Sequence, residues 1–166
     1  MQKTWSMYSI EEAKVIRRRF WESFDLYSKD HKSHRRKKRE WMLQKTGIKG
    51  FALKFDLIDK SAQVGFEIAS KGLQRQLKYF EKMQSLKSLL DEAFEHQLIW
   101  NDHFQLENGK EVFRIYIEKT NVNLFKEADW NQIFEFFFFQ MTKLEAWFME
   151  YKDIIKMNEE EIFKDE

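Results

Sequence analysis

The chain has 166 residues, 17% of them aromatic, and a formal net charge of +1. That length fits one domain able to bury a core of its own. It contains no cysteine, which excludes disulfides, thiolate zinc sites and cysteine nucleophiles. No run of about 18 apolar residues exists to span a membrane, and residues 1–10 lack the apolar core of a secretory signal. The expectation is a cytoplasmic protein.

Residues 1–7 carry no periodicity and are expected to be a disordered N-terminus. Ser9 followed by Glu12 reads as a capping box. Ile10, Ala13, Ile16, Phe20, Phe24 and Tyr27 then step by three and four, which predicts a helix over about 10–28. The run "HKSHRRKKREW" follows, with five consecutive basic residues, Arg35, Arg36, Lys37, Lys38 and Arg39. Period-two alternation predicts three strands, around Trp41–Leu43, Phe51–Asp56 and Ala62–Ser70. In the third, Val64, Phe66 and Ile68 face inward and Gly65, Glu67 and Ala69 outward. Leu73, Leu77, Phe80, Met83, Leu86, Leu90 and Phe94 return to helical spacing. Two more strands lie near Leu98–Phe104 and Glu111–Lys119, joined by a hairpin turn at Asn108-Gly109. Phe113, Ile115 and Ile117 share one face; Val112, Arg114, Tyr116 and Glu118 share the other. Trp130 to Ile155 steps by three and four through about seven turns. Residues 158–166 read as an acidic frayed tail.

The expected architecture is α+β in the order αβββαββα. It has a five-stranded, mainly antiparallel sheet and three helices, and residues 8–157 form a single domain. The charge is polarised along the chain. Residues 31–50 hold eight Lys or Arg against one acid, whereas residues 127–166 hold eleven acids against four lysines. A split of this kind suggests one pole that can meet an anion and one that repels it.

Four segments resemble successive blocks of a bacterial family. They are "MYSIEEAKVIRRRFWESF" (Met7–Phe24), "TGIKGFALKFD" (Thr46–Asp56), "ENGKEVFRIYIE" (Glu107–Glu118) and "DWNQIFEFF…KLEAWFMEYKDII" (Asp129–Ile155). The family is domain-of-unknown-function family 4268. The resemblance covers nearly the whole chain after residue 7 and implies a small bacterial protein with no assigned activity. Family members also resemble domains attached to nucleases, an association that carries little about mechanism.

The expected order of helix, three strands, helix and strand also resembles the core of restriction-endonuclease-like nucleases. Those need an acid ending one strand and an acid-x-Lys on the next, to bind magnesium and position the attacking water. Asp56 and Glu67 stand at such places. The lysine position, however, holds Ala69, and Lys71 lies beyond the strand. The plainer expectation is that Asp56 and Glu67 are outward strand residues. "GIKG" (Gly47–Gly50) runs straight into a strand and reads as a bend. None of the five glycines makes a phosphate-cradling loop. His31 and His34 have ligand-like spacing but lack further fixed partners, so no metal or other cofactor is expected.

Phe136, Phe138 and Phe139 widen the apolar face of the last helix beyond one stripe. Such a helix is central to a core or contacts another subunit, with a homodimer the simplest case. The basic run Arg35–Arg39 could meet the phosphates of a nucleic acid, extended by Arg17–Arg19, Lys45 and Lys49, or it is a solvated loop. The leading expectation is a non-enzymatic interaction module that binds a protein or self-associates. The alternatives are a nucleic-acid-binding domain using residues 35–39 and a degenerate nuclease using Asp56, Glu67 and Lys71.

Overall fold

The computed structural model describes residues 8–31 and 40–163. The basic run Arg35–Arg39 and residues 1–7 therefore lie outside the described residues, as do 164–166. Helix α1 spans Ile10–Asp30 and starts where the sequence signals it. The Ser9 hydroxyl accepts the Glu12 N–H at 3.1 Å, and the Ser9 N–H donates to the Glu12 carboxylate at 3.3 Å. Two amide donors that a helix start leaves unpaired are thereby satisfied.

Strand β1 (Phe51–Ile58) turns through Asp59-Lys60 into β2 (Ser61–Ile68). Helices α2 (Leu73–Ser85) and α3 (Lys87–Ala93) follow. Strand β3 (Ile99–Gln105) pairs with β4 (Glu111–Thr120) across the expected turn, where Gly109 takes φ +85°. A 3-10 turn leads into the 26-residue helix α4 (Trp130–Ile155), and a short α5 (Glu159–Phe163) ends the described chain. The four strands lie in the order β1-β2-β4-β3, every neighbouring pair antiparallel.

The class is α+β, but among the described residues the sheet has four strands, not five, and there are five helices, not three. The missing strand is Trp41–Leu43. Leu43 takes φ +46°, a conformation incompatible with extended strand, and the Lys45 N–H donates back to the Met42 carbonyl. The segment keeps one backbone bond to the β1 edge, from the Leu53 N–H to the Leu43 carbonyl at 3.0 Å. Positive φ at Gly47 and Gly50 then folds the chain back onto β1. The buried Thr46 hydroxyl ties this turn by donating to the Phe51 carbonyl at 2.7 Å.

The helix expected over 73–94 is two helices because Leu86 leaves helical geometry, at φ −103° and ψ 10°. The Ser85 hydroxyl donates to the Lys82 carbonyl beside the break, a local bond that competes with the helix ladder. Within the expected acidic tail, α5 places Ile162 fully out of solvent. Its backbone carbonyl accepts from the Gln74 side chain of α2 at 3.3 Å.

One sheet face is apolar. Phe51, Leu53, Val64, Phe66, Ile68, Ile115 and Ile117 are buried there. Ring contacts join this face to α2 through Phe51–Tyr79 and Phe80–Phe113, and to α4 through Phe66–Phe148 and Phe55–Phe137. Helix α1 packs on α4 through Phe20 and Phe24, each in contact with Phe137. The core is thus a helical layer on one side of an antiparallel sheet.

Candidate functional site

Three places carry the residues singled out from the sequence. The first is the sheet face turned away from that helical layer. Strand alternation sends Asp56, Glu67 and Arg114 there, and the registers Asp56↔Gln63 and Glu67↔Arg114 set them side by side. Arg114 Nη1 donates to Asp56 Oδ2 at 2.7 Å and to Gln63 Oε1 at 3.0 Å, while Nη2 donates to Glu67 Oε1 at 2.9 Å. Lys54 Nζ approaches the other oxygen of Glu67 at 3.5 Å. Arg114 and Glu67 are nearly buried, at 3% and 6% exposure.

The Phe104 ring covers the guanidinium, with the Arg114 Cζ 3.8 Å from its centroid. A register shift between Asn101 and Phe104 brings Phe104 to this face; unbroken alternation would have sent it to the helical side. Beside it the Tyr116 phenol is held above its ordinary pKa by burial first and by the nearby Glu118 second.

The two acids of the nuclease expectation do converge. Arg114 sits between them and both are ion-paired to it. Lys71 is exposed in the turn after β2, apart from the set. The strand order behind that expectation is also absent among the described residues, where two strands and not three precede α2. Among the described residues no group of three or more Asp, Glu or His could hold a metal ion. Sequence alternation placed Arg114 on the face opposite Phe113, Ile115 and Ile117. Its role as the bridge depends on β2 lying between β1 and β4.

The second place is an open cleft of about 550 Å³ between α1, residues 40–45 and β1. Its floor is the Phe24–Phe55 pair, with ring centroids 5.1 Å apart. Trp21 and Trp41 both contact that pair and line the cleft, with Lys45 and Lys54 beside them. Trp41 is half-buried; its indole N–H donates to the Ser28 hydroxyl at 3.3 Å. The basic run enters at His31 and returns at Glu40, which lines this cleft. The arginines of α1 are less close than their sequence position suggests. Arg19 lies twelve residues before His31, about 18 Å along the helix axis. It is turned toward Glu127 (3.4 Å) and over the Trp130 ring.

The third place is α4. Phe138 is buried against Tyr27 and Trp41, Phe136 is half-buried, and Phe139 is 58% exposed. Of the three phenylalanines considered for an interface, Phe139 projects fully outward. It has company that the sequence reading did not single out. Met149 is 50% exposed, and Ala146 between them is exposed too. The signal was available, because residues 139, 146 and 149 share a helix stripe opposite Phe137, Leu144 and Phe148.

Among the described residues no helix is long and apolar enough to cross a membrane. No curated protein and no solved structure matches the chain. A family model, Domain of unknown function (DUF4268), matches residues 16–152, which takes in most of α1, the whole sheet and most of α4. The chain therefore belongs to the DUF4268 family.

Proposed function

We propose that the chain is a non-enzymatic interaction module whose recognising surface is the outward stripe of α4. One observation carries this reading. Phe139 and Met149 stand in solvent on a helix whose other face, Ile133, Phe137, Met141, Leu144 and Phe148, is completely buried. Large apolar side chains on an outer helix face gain free energy when a partner covers them. The ion pairs from Arg114 to Asp56 and Glu67 support a structural role for those acids over a magnesium-dependent one.

The test is retention on an affinity column of the tagged chain, produced together with an untagged copy in its own cellular background. Wild type is expected to retain another protein, or the untagged copy in an amount that rises with the concentration loaded. Phe139→Asp, with an unchanged circular dichroism spectrum, is expected to retain neither. Equal retention by both forms, or none by either, contradicts the reading.

A second reading takes the aromatic cleft as a platform for single-stranded nucleic acid. The half-buried Trp41, beside Lys45 and Lys54, favours it. Bases stack on such rings while basic residues, here Arg35–Arg39, meet the phosphates. Fluorescence anisotropy with labelled single- and double-stranded DNA and RNA decides it. The reading holds if binding falls with salt and is lost both in Trp41→Ala and when residues 35–39 become serine. It fails if wild type does not bind at low salt.

A further inference from the structure

The outward stripe of α4 has a symmetry of its own. Phe139, Thr142, Ala146 and Met149 step by three, four and three, the spacing of a seam between two packed helices. Phe139 and Met149 are equally far from residue 144, and so are Thr142 and Ala146. A second helix of the same sequence, laid antiparallel about that centre, sets Phe139 on the partner's Met149 and Thr142 on the partner's Ala146. Large then meets large at the two ends of the seam, and small meets small in the middle, where the backbones approach most closely.

Charge agrees with this arrangement. Lys143 and Glu150 lie on one flank of the seam, and like flanks face each other in an antiparallel pair. Lys143 then looks toward the partner's Glu150, displaced by about 7.5 Å along the axis. Helical side chains lean toward their own N-terminus, so these two lean toward each other and close that gap. A parallel pairing sets Phe139 on Phe139 and loses the ion pair.

We propose that the partner of this surface is a second copy of the chain, packed antiparallel along α4 about a two-fold axis near residue 144. The proposal rests on the reading of α4 as an interaction surface. Four residues make a narrow seam, well below the roughly 800 Å² per partner of a standard stable interface. Glu135 and Asp153 extend the stripe at its ends, where each faces the other's counterpart with like charge. The association is accordingly weak and concentration-dependent.

The natural chain has no cysteine, so single cysteines report the pairing without background. Thr142→Cys and Ala146→Cys would be oxidised separately and as an equal mixture, at the highest soluble concentration. The mixture is expected to give several-fold more linked dimer than either variant alone. In the cysteine-free chain, Glu135→Lys is expected to raise the dimer fraction in sedimentation by pairing with the partner's Asp153. Adding Asp153→Lys should reverse that gain. Preferential self-linking of Ala146→Cys, or no linked dimer in the mixture, overturns the proposal. If another protein is still retained through Phe139 while the mixture gives no dimer, the two-fold pairing falls and the reading of α4 as an interaction surface stands.

Discussion

Replacing Arg114 by methionine would leave the Glu67 carboxylate, 8% exposed, with only Lys54 for a cation, and would leave Gln63 Oε1 without its donor. Removing one member of a buried ion pair costs about 3–5 kcal/mol because the other charge stays buried. Asp56, with a third of its side chain exposed, is partly rehydrated and adds little. Urea unfolding is expected to show Arg114→Met less stable by about 3 kcal/mol; a loss below about 1 kcal/mol would mean that the bridge is not structural. Tyr116 gives a second check at the same scale. Its folded pKa lies above the ordinary tyrosine value because burial disfavours the phenolate. A raised folded pKa contributes stability that is complete below the unfolded value and is lost as pH rises through the folded one. Melting temperature should therefore fall above about pH 10, and less steeply in Tyr116→Phe. Identical slopes would contradict the assignment.

Helix α4 presents two faces with opposite energetic roles. Phe137 is fully buried among Phe20, Trp21, Phe24 and Phe55. Phe137→Ala is expected to cost about 3–5 kcal/mol in denaturant titration. Phe139→Ala at low protein concentration should change stability by less than about 0.5 kcal/mol, as exposed sites do. Much at this scale was legible in the sequence. The capping box fixed the start of α1, Asn108-Gly109 fixed the second hairpin, and long periodic runs fixed α1 and α4. Trp41–Leu43 was not legible, because two alternating apolar residues fit a turn as well as a strand, and φ +46° at Leu43 leaves no trace in its identity. The break at Leu86 was hidden too, since the apolar stripe continues through Met83, Leu86 and Leu90 without a change of step. α5 was masked by its acidic composition, with Ile162 its single fully buried anchor.

Across the whole molecule, the helical layer and the sheet enclose one core; Asp56, Glu67, Lys71 and Phe139 lie outside it, whereas Phe138 is part of it. The outer sheet face has its charges matched within itself around Arg114. The cleft of Trp21 and Trp41 is lined by Glu40, where the described chain resumes. The outward stripe of α4 has its apolar side chains uncovered. Alternation set Asp56, Glu67 and Arg114 opposite the apolar residues of their own strands, but their convergence on one face needed the strand order β1-β2-β4, which depends on long-range pairing. Conversely, the phenylalanine cluster drew attention to Phe138, which faces inward, and away from Met149, which faces out.

Sedimentation velocity of wild type and Phe139→Asp, over a wide concentration series, separates an associating α4 surface from an inert one. The sedimentation coefficient is expected to rise with concentration for wild type and to stay at the monomer value for the variant. Concentration-independent monomers in both, or equal association in both, would contradict that expectation.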